Sequence, residues 1–443
     1  MWPTLREPAE FERVLRLGLG RAILLLRTHD AAPSRAAILD ACVHHTAYDP
    51  QVEGRRTAYL WDVLAASGDP SVFLDDLLAA LLEVTTYWDA DQLFDLARHF
   101  AQAGHDRARE AMYAKFRQND AEEPFVGAEA LIRLDGLDGL LAVAEQVGQT
   151  LQADPRAWVD PWLFVVANDV CGEQPARAAL EAARRTRPAI GAFVDALDAE
   201  RAQRPATRRQ YPDLSGAPYA RVRASIAAPE SRRLGLVALR RWGQAAPEDE
   251  LAQAATDLLH ERDDEDRLIG YLRIFGKRRF PLDPAPLLSL VRHADTRLAA
   301  AAFAALGQLS NARIRQAALD LLDDGQASGW QRGRALCLLA RNHQPGDTAR
   351  LADWLRGARD DDELHAIGIG VRHVLEAHST PAGAAALLDL YERGPCSICR
   401  AHAVELLHGV DALPAWLADE CQFDANLDLR ATLTAWRTPS AAN

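Results

Sequence analysis

Two cysteines, Cys396 and Cys399, form the pair of side chains best suited to chemistry in this sequence. They follow a Gly-Pro pair, where we predict the start of a helix. Residues three apart share one face of a helix, so both thiols would point the same way, with His402 about one turn further on. A helix N-terminus lowers a thiol pKa, which suits redox chemistry or metal binding. Zinc requires four ligands, or three and an open position, and no second CxxC motif occurs. We therefore assign no metal and no cofactor, keep these three residues as candidates, and retain packing cysteines as the alternative.

A second cluster of polar and aromatic residues lies between positions 48 and 59. We predict a loop there that leads into a helix, a place where binding residues are often found. The alternative is a capped turn whose acidic residues and arginines pair locally. The candidate binding residues of this cluster are Tyr48, Asp49, Glu53, Arg55, Arg56 and Tyr59.

Charge is unevenly distributed along the chain. The 443 residues include 50 Lys and Arg against 63 Asp and Glu, a formal net charge of −13. Between positions 184 and 241, however, 13 arginines face only five acidic residues. An acidic chain repels phosphate, which disfavours nucleic acid as a general partner. The basic centre is still a candidate site for an acidic partner or a nucleic-acid backbone, through Arg208, Arg209, Arg221 and Arg223.

Motifs of the common enzyme classes are absent from the sequence. The only lysines are Lys115 and Lys277, and neither follows the glycines of a phosphate-binding loop. No GxSxG nucleophile motif occurs either. We therefore leave enzymatic activity open and expect none. The aromatic residues Tyr87, Trp88, Trp158 and Trp162 are predicted to lie in the core.

The elements that position these residues are predicted to be helices throughout. Alanine and leucine make up about a third of the chain, and both favour helix. Sustained alternation of apolar and polar residues, the signature of a half-buried strand, is missing. In the first half, we predict helices at about 9–28, 34–46, 54–67, 71–85, 89–103, 106–118, 125–134, 136–152, 160–170 and 174–200.

Three segments follow from the spacing of these helices. Residues 1–200 are predicted to form an N-terminal array of helical hairpins, and residues 231–443 a C-terminal set of repeats. The intervening segment 201–230 is rich in proline and arginine and is predicted to be a linker or extended loop.

A cationic residue recurs about every 33 residues in the second half, near the start of an Ala/Leu-rich helix. The clearest copy has Asp295, then Arg297, a row of alanines and a closing Leu306-Gly307. Asp428 and Arg430 begin a partial copy. This pattern resembles the HEAT repeat family, especially its short bacterial form. The recurring cationic residues are Arg233, Arg267, Arg297, Arg334, His365, Arg400 and Arg430.

The resemblance implies an all-α fold, an α-solenoid of stacked antiparallel helical hairpins that form a HEAT-like superhelix. It further implies that Arg297 and Arg430 reach acidic groups of adjacent repeats. The residues to which we assign a structural role in the repeat are Asp295, Arg297, Arg334, Arg400, Asp428 and Arg430.

Such solenoids most often bind other proteins, so we expect a non-catalytic interaction or assembly scaffold that binds a protein or peptide on its concave face. One alternative is a nucleic-acid-binding HEAT-like protein that uses the central arginines. A second is a HEAT-like lyase or chaperone for a bound cofactor. The longest apolar run is too short for a bilayer, the N-terminus does not resemble a signal peptide, and most cysteines stand singly. We expect a bacterial cytoplasmic protein with no membrane partner.

Overall fold

The computed structural model describes residues 8–119, 125–203, 213–228, 236–261 and 264–437. These residues form helices and turns and contain no β-strand, which confirms the predicted all-α class. None of the helices in these ranges is long and apolar enough to span a bilayer. The helices are α1 Pro8–Leu17, α2 Arg21–Leu26, α3 Arg35–Val43, α4 Pro50–Glu53, α5 Thr57–Ala66, α6 Leu74–Glu83, α7 Tyr87–Gln102, α8 Asp106–Phe116, α9 Ala128–Asp135, α10 Leu137–Ala153, α11 Trp162–Cys171, α12 Glu173–Ala183, α13 Pro188–Gln203, α14 Tyr219–Ala227, α15 Leu236–Ala245, α16 Glu248–His260, α17 Glu265–Ile274, α18 Ala285–Leu288, α19 Thr296–Leu306, α20 Ala312–Leu322, α21 Gly329–Asn342, α22 Asp347–Arg356, α23 Asp361–Ala377, α24 Ala384–Arg393, α25 Ser397–Gly409, α26 Ala415–Glu420 and α27 Leu427–Arg437.

The chain divides into two compact units. The first comprises Met1–Arg208 with Pro414–Asn443, and the second comprises Arg209–Leu413. One boundary falls within the predicted linker, but the last stretch of the chain belongs to the first unit instead of the C-terminal repeats. Part of that linker is also a helix, because the apolar residues Tyr219, Val222 and Ile226 share one face of α14 and are buried. The rest of segment 201–230 lies largely outside the described residues.

In the first unit, the C-terminal helices pack against the beginning of the chain. The guanidinium of Arg21 in α2 lies 2.9 Å from the carboxylate of Glu420 at the end of α26, and both side chains are buried. The amide of Ala425 donates a hydrogen bond to the carbonyl oxygen of Gly18 at 2.8 Å. Gly18 has a φ of +77° there, and a Cβ on it would lie 2.5 Å from the Ala425 side chain. Glycine is thus required at this contact for two reasons, conformation and space.

Arg430 in α27 reaches Asp62 of α5 at 2.7 Å. This acidic partner lies 368 positions away in the sequence and, contrary to what the resemblance implies, does not belong to an adjacent repeat. Its neighbour Asp428 lies exposed in the first turn of α27. The side chain of Asn426 instead accepts a hydrogen bond from the amide of Leu429, as a helix cap does. The residue that caps α27 is therefore Asn426, two positions before the repeat residue Asp428.

In the second unit, alternate helices contact each other in succession: α15, α17, α19, α21, α23 and α25. Within this series α21 and α23 approach most closely, because glycines face each other across the contact. A Cβ on Gly333 of α21 would lie 2.2 Å from the carbonyl oxygen of Ala366 in α23. A Cβ on Gly370 would lie 2.5 Å from the carbonyl oxygen of Gly333.

Polar contacts of the second unit join positions about one predicted repeat apart. Asp295 caps α19 by accepting a hydrogen bond from the amide of Arg297. The hydrogen bonds from the Arg297 guanidinium and from this amide lower the pKa of Asp295 to about 2. Arg297 also lies 3.4 Å from Asp266 at the start of α17, as the resemblance implies. Arg334 differs from the expected pattern, since it is exposed and lies over the ring of Trp330. The contact to the next hairpin is made instead by Arg332, two positions earlier in α21.

Glu363 is the partner of Arg332 and lies buried in the first turn of α23. Its carboxylate also accepts hydrogen bonds from the amide of Arg359 at 3.0 Å and from the Arg359 guanidinium at 2.7 Å. Burial alone would raise the pKa of Glu363, but the hydrogen bonds from Arg359 and Arg332 outweigh it and hold the pKa below its usual range. A carboxyl group whose pKa is lower in the folded than in the unfolded chain stabilises the folded state at pH values above its unfolded-state pKa. This stabilisation is lost as the pH falls through the folded-state pKa.

We therefore expect Glu363→Gln to lower the free energy of unfolding near neutral pH by about 1–3 kcal/mol, the range for hydrogen bonds to a charged group. The deficit should shrink as the pH falls below the ordinary glutamate pKa, because the native carboxyl then becomes protonated. Urea denaturation at a series of pH values measures this. The exposed neighbour Asp362, changed to Asn, is the matched control, and a pH-independent deficit in Glu363→Gln would contradict the expectation.

Candidate functional site

The predicted binding cluster at 48–59 is largely turned into the first unit. Tyr59 is 1% exposed, and its hydroxyl donates to the carbonyl oxygen of Leu19 at 3.0 Å. Arg56 is buried as well and donates to the carbonyl oxygens of Arg16 and Thr46. These contacts tie the 48–59 loop to the start of the chain, so Tyr59 and Arg56 have a structural role.

The remaining polar residues of this loop pair within the same unit. Arg55 forms a two-pronged contact with Asp91, at 2.7 and 2.9 Å, and also reaches Glu129 at 2.8 Å. Asp49 caps α4, and its own amide donates to Glu53 at 2.9 Å. Glu53 in turn lies 3.2 Å from Arg56. Tyr48 is half-buried beside them. Asp49, Glu53 and Arg56 match the capped, locally paired turn that was the alternative for this segment. Arg55 instead pairs with residues 36 and 74 positions away.

The central arginines are dispersed by the fold. Arg208 and Arg209 lie outside the residues that the structure describes. Arg221 and Arg223 are exposed on α14, and Arg223 lines a groove of about 700 Å³ between α14 and α16. Arg223 lies 3.1 Å from Asp257 across this groove. Because that carboxylate offsets its charge, the groove does not present a basic surface to phosphate.

Tyr219 lines the same groove. Its hydroxyl donates to Asp257 at 2.6 Å. Burial and this hydrogen bond raise the pKa of Tyr219. Elsewhere in the basic segment, Arg184 reaches Glu181 and Asp195, and Arg187 reaches Glu145. Three arginines in the described part of the segment, Arg184, Arg187 and Arg223, are therefore ion-paired with carboxylates.

The two thiols of the CxxC motif are brought together with a histidine from another helix. Cys396 is the residue before α25, Cys399 lies in its first turn, and His365 projects from α23, which packs against α25. The nitrogen of His365 and both sulfur atoms lie within 4.8 Å of one another. Both cysteines are buried, whereas His365 is half-buried. The hydrogen bond with Cys396 and burial raise the pKa of the Cys399 thiol, and the charges of Arg372 and Arg400 act in the opposite direction.

His402, the histidine proposed from helical spacing, has a different partner. Its Nδ1 lies 2.7 Å from the guanidinium of Arg372 on α23. Because the guanidinium can only donate, Nδ1 must be the acceptor there. His402 is therefore not part of the cluster, and His365 takes its place. The repeat spacing contained this signal, since His365 and Arg400 were predicted at equivalent positions of neighbouring hairpins.

Arg400 is fully buried beneath the CxxC motif. It donates to the carbonyl oxygens of Gly394 and Pro395 at 3.0 and 3.2 Å. These bonds hold the turn that leads into Cys396. A residue assigned to the repeat thus also fixes the backbone beside the two thiols.

An exposed aromatic surface, which sequence reasoning missed, lies at α11 and the loop before it. Trp158 and Trp162 are 65% and 53% exposed, so the prediction that they lie in the core is wrong. Val165 follows Trp162 by one turn and is also exposed. The sequence of α11 is apolar on nearly every side, and its other face buries Leu163, Phe164, Val166 and Ala167. The spacing of apolar residues in such a segment does not indicate which side of the helix is covered by the rest of the protein.

Tyr87 and Trp88 were also predicted in the core, yet Tyr87 is 42% exposed and Trp88 is half-buried. Their rings contact each other edge to face at 4.9 Å, at the start of α7. The Trp88 ring also lies 6.2 Å from that of His45, and Tyr87 is the one large apolar residue of α7 that is exposed.

Comparisons of the chain with models of protein families, with curated proteins and with solved structures find no match. The likeness to the HEAT repeat family is therefore carried by the residues of this sequence alone, and function must be inferred from the side chains described above.

Proposed function

We propose that this chain is a non-catalytic protein-binding scaffold whose helical hairpins stack as a HEAT-like solenoid. Two features support the solenoid: the succession of contacts from α15 to α25, and polar contacts such as Arg297 with Asp266, 31 positions apart. One hairpin cannot bury its apolar face alone, so stacking is what stabilises such arrays. Binding on the concave face stays a prediction.

The observation that carries the binding proposal is the surface formed by Trp158, Trp162 and Val165, which we call the tryptophan surface. Two large indole side chains more than half exposed are unfavourable in water. Tryptophan is among the residues most enriched at the energetic centres of protein interfaces. A partner that covered these rings would recover the free energy of burying them.

Charge around the tryptophan surface indicates the chemistry of the partner. Asp160 lies between the two tryptophans, and its side chain accepts from the amide of Trp162 at 2.9 Å. Asp169 lies on the exposed face of α11, two turns beyond Trp162. From position 152 to 173 the chain carries four acidic residues and one arginine. We infer a partner protein that presents apolar side chains flanked by lysine or arginine.

Trp162→Ala is expected to weaken partner binding by about 2 kcal/mol or more, roughly 30-fold, as at an interface hot spot. The stability of the folded chain should hardly change, because the ring is already exposed. The measurement is affinity purification of the full chain from its native cells, comparing the proteins retained by the native chain and by the variant.

Tyr87→Ala is the matched control, since it removes an exposed aromatic ring outside the tryptophan surface. Proteins that need this surface should be lost in Trp158→Ala and Trp162→Ala but retained in Tyr87→Ala. Labelled amphipathic peptides with lysine or glutamate flanks then test the charge preference directly. An identical set of proteins in all variants, or equal affinity for both peptides, would contradict the proposal.

A further inference from the structure

We propose that His365, Cys396 and Cys399 form a site for Zn²⁺, with two thiolates and one imidazole as ligands. The site belongs to the second unit, whereas the tryptophan surface belongs to the first, and the zinc proposal does not depend on the protein-binding proposal. Zinc takes sulfur and nitrogen ligands in a tetrahedral arrangement, and three protein ligands with an open fourth position are a known class.

The geometry of the three side chains fits a single ion. Zinc lies about 2.3 Å from sulfur and about 2.0 Å from nitrogen, so its ligand atoms are spaced by roughly 3.5–4 Å. The sulfur and nitrogen atoms of this cluster already lie within 4.8 Å of one another. Side-chain rotation that closes these distances by about 1 Å would complete the coordination. The helices α23 and α25, which carry His365 and Cys399, are already in contact.

Two arginines lie beside the cluster. The hydrogen bond with Cys396 and burial raise the pKa of Cys399, and the guanidinium charges of Arg372 and Arg400 oppose this rise without cancelling it. Metal binding requires deprotonated thiols, so an ion that binds here displaces the thiol protons. Arg400 also fixes the backbone before Cys396 through its bonds to the carbonyl oxygens of Gly394 and Pro395. These bonds preorganise the turn that carries Cys396 before an ion arrives.

Access and orientation are provided by α23. His365 is half-buried, whereas both cysteines are buried, so an ion would reach the cluster from the side of His365, and water would supply the fourth ligand there. Asp361 lies one helical turn before His365 on the same face of α23. Carboxylates near a ligating imidazole orient its ring and raise its basicity.

The test uses the full chain, reduced and stripped of metal with a chelator, and Co²⁺ as the spectroscopic probe. We expect one Co²⁺ per chain, with sulfur-to-cobalt charge-transfer bands and the intense visible bands of tetrahedral Co²⁺. Zn²⁺ should remove these bands by displacement. Cys396→Ser, Cys399→Ser and His365→Asn should each weaken binding by at least about 100-fold, above what loss of an orienting partner alone costs.

Two variants serve as matched controls. His402→Asn removes a histidine of α25 that is not part of the cluster, and Cys337→Ser removes a half-buried thiol outside the cluster. Neither change should alter the Co²⁺ affinity. If a ligand variant fails to fold, alkylation of the native chain replaces it: Zn²⁺ should protect Cys396 and Cys399 and leave Cys337 reactive.

Three results would overturn the proposal. The first is a reduced chain without sulfur-to-cobalt bands at stoichiometric Co²⁺. The second is a loss of affinity in His402→Asn as large as that in His365→Asn. The third is a reduced chain in which Zn²⁺ does not protect Cys396 and Cys399 from alkylation and mild oxidation joins them in a disulfide. The pair would then be a redox dithiol.

Discussion

Glu420→Gln is expected to lower the free energy of unfolding by about 3–5 kcal/mol, the cost of breaking a buried ion pair by removing one partner. Glu420 is completely buried and Arg21 is 2% exposed, so water cannot replace the lost carboxylate. The two residues join the last helices of the first unit to the first ones, at 2.9 Å between Nε and Oε2. The variant should therefore also release residues 414–437 to proteases earlier than the native chain does.

Urea denaturation of the full chain measures this loss. The adjacent residue Asp419 supplies the matched control, because it forms a half-exposed pair with Arg437 and its change to Asn should cost at most about 1 kcal/mol. The double variant Arg21→Met with Glu420→Leu should recover most of the deficit, since apolar replacements of a buried pair are often tolerated. If Glu420→Gln lowered the free energy of unfolding no more than Asp419→Asn does, the claim that the buried pair stabilises the fold would be refuted.

Gly333→Ala is expected to destabilise the second unit by about 3 kcal/mol, at the upper end of the range for overpacking. The added Cβ would lie 2.2 Å from the carbonyl oxygen of Ala366, and this neighbour is backbone that cannot rotate away. The helices α21 and α23 would have to separate. Since Ala366 follows His365 directly, the position of that imidazole should change as well.

Gly409→Ala tests whether space at the helix contact is the cause. Gly409 also lies in a helix, α25, but a Cβ there meets nothing within 4 Å. Alanine at this position should leave the free energy of unfolding unchanged or raise it by up to about 1 kcal/mol, through helix propensity. The close contact of α21 with α23 would be contradicted if both variants unfolded at the same urea concentration.

Local sequence signals predicted the first and last residues of most helices to within a few positions. The helix predicted at 106–118 is α8, Asp106–Phe116, and the one at 136–152 is α10, Leu137–Ala153. The helix predicted at 9–28 is instead two helices, broken at Gly18. That break accommodates Ala425, a residue about 400 positions away, and no local pattern reports such a contact. The return of the C-terminal segment to the first unit was missed for the same reason.

The candidate sites depended even more on tertiary packing. Cys396 and Cys399 were found because their spacing is local, but the third member of the cluster, His365, comes from the preceding hairpin. Arg55, Arg56 and Tyr59 have the residue types of a binding site, and only their long-range partners reveal a structural role. The tryptophan surface could not be predicted, because an apolar helix does not indicate which of its faces stays uncovered.

Site-specific photocrosslinking at Val165 tests the central claim, protein binding at the tryptophan surface, most directly. Val165 is exposed one turn beyond Trp162, so a photoreactive residue there leaves both tryptophans in place. We expect crosslinks to another protein at a segment with apolar side chains flanked by lysine or arginine, and no comparable yield from a probe at Tyr87. Crosslinks only to a second copy of this chain, or equal yields at both positions, would contradict the account.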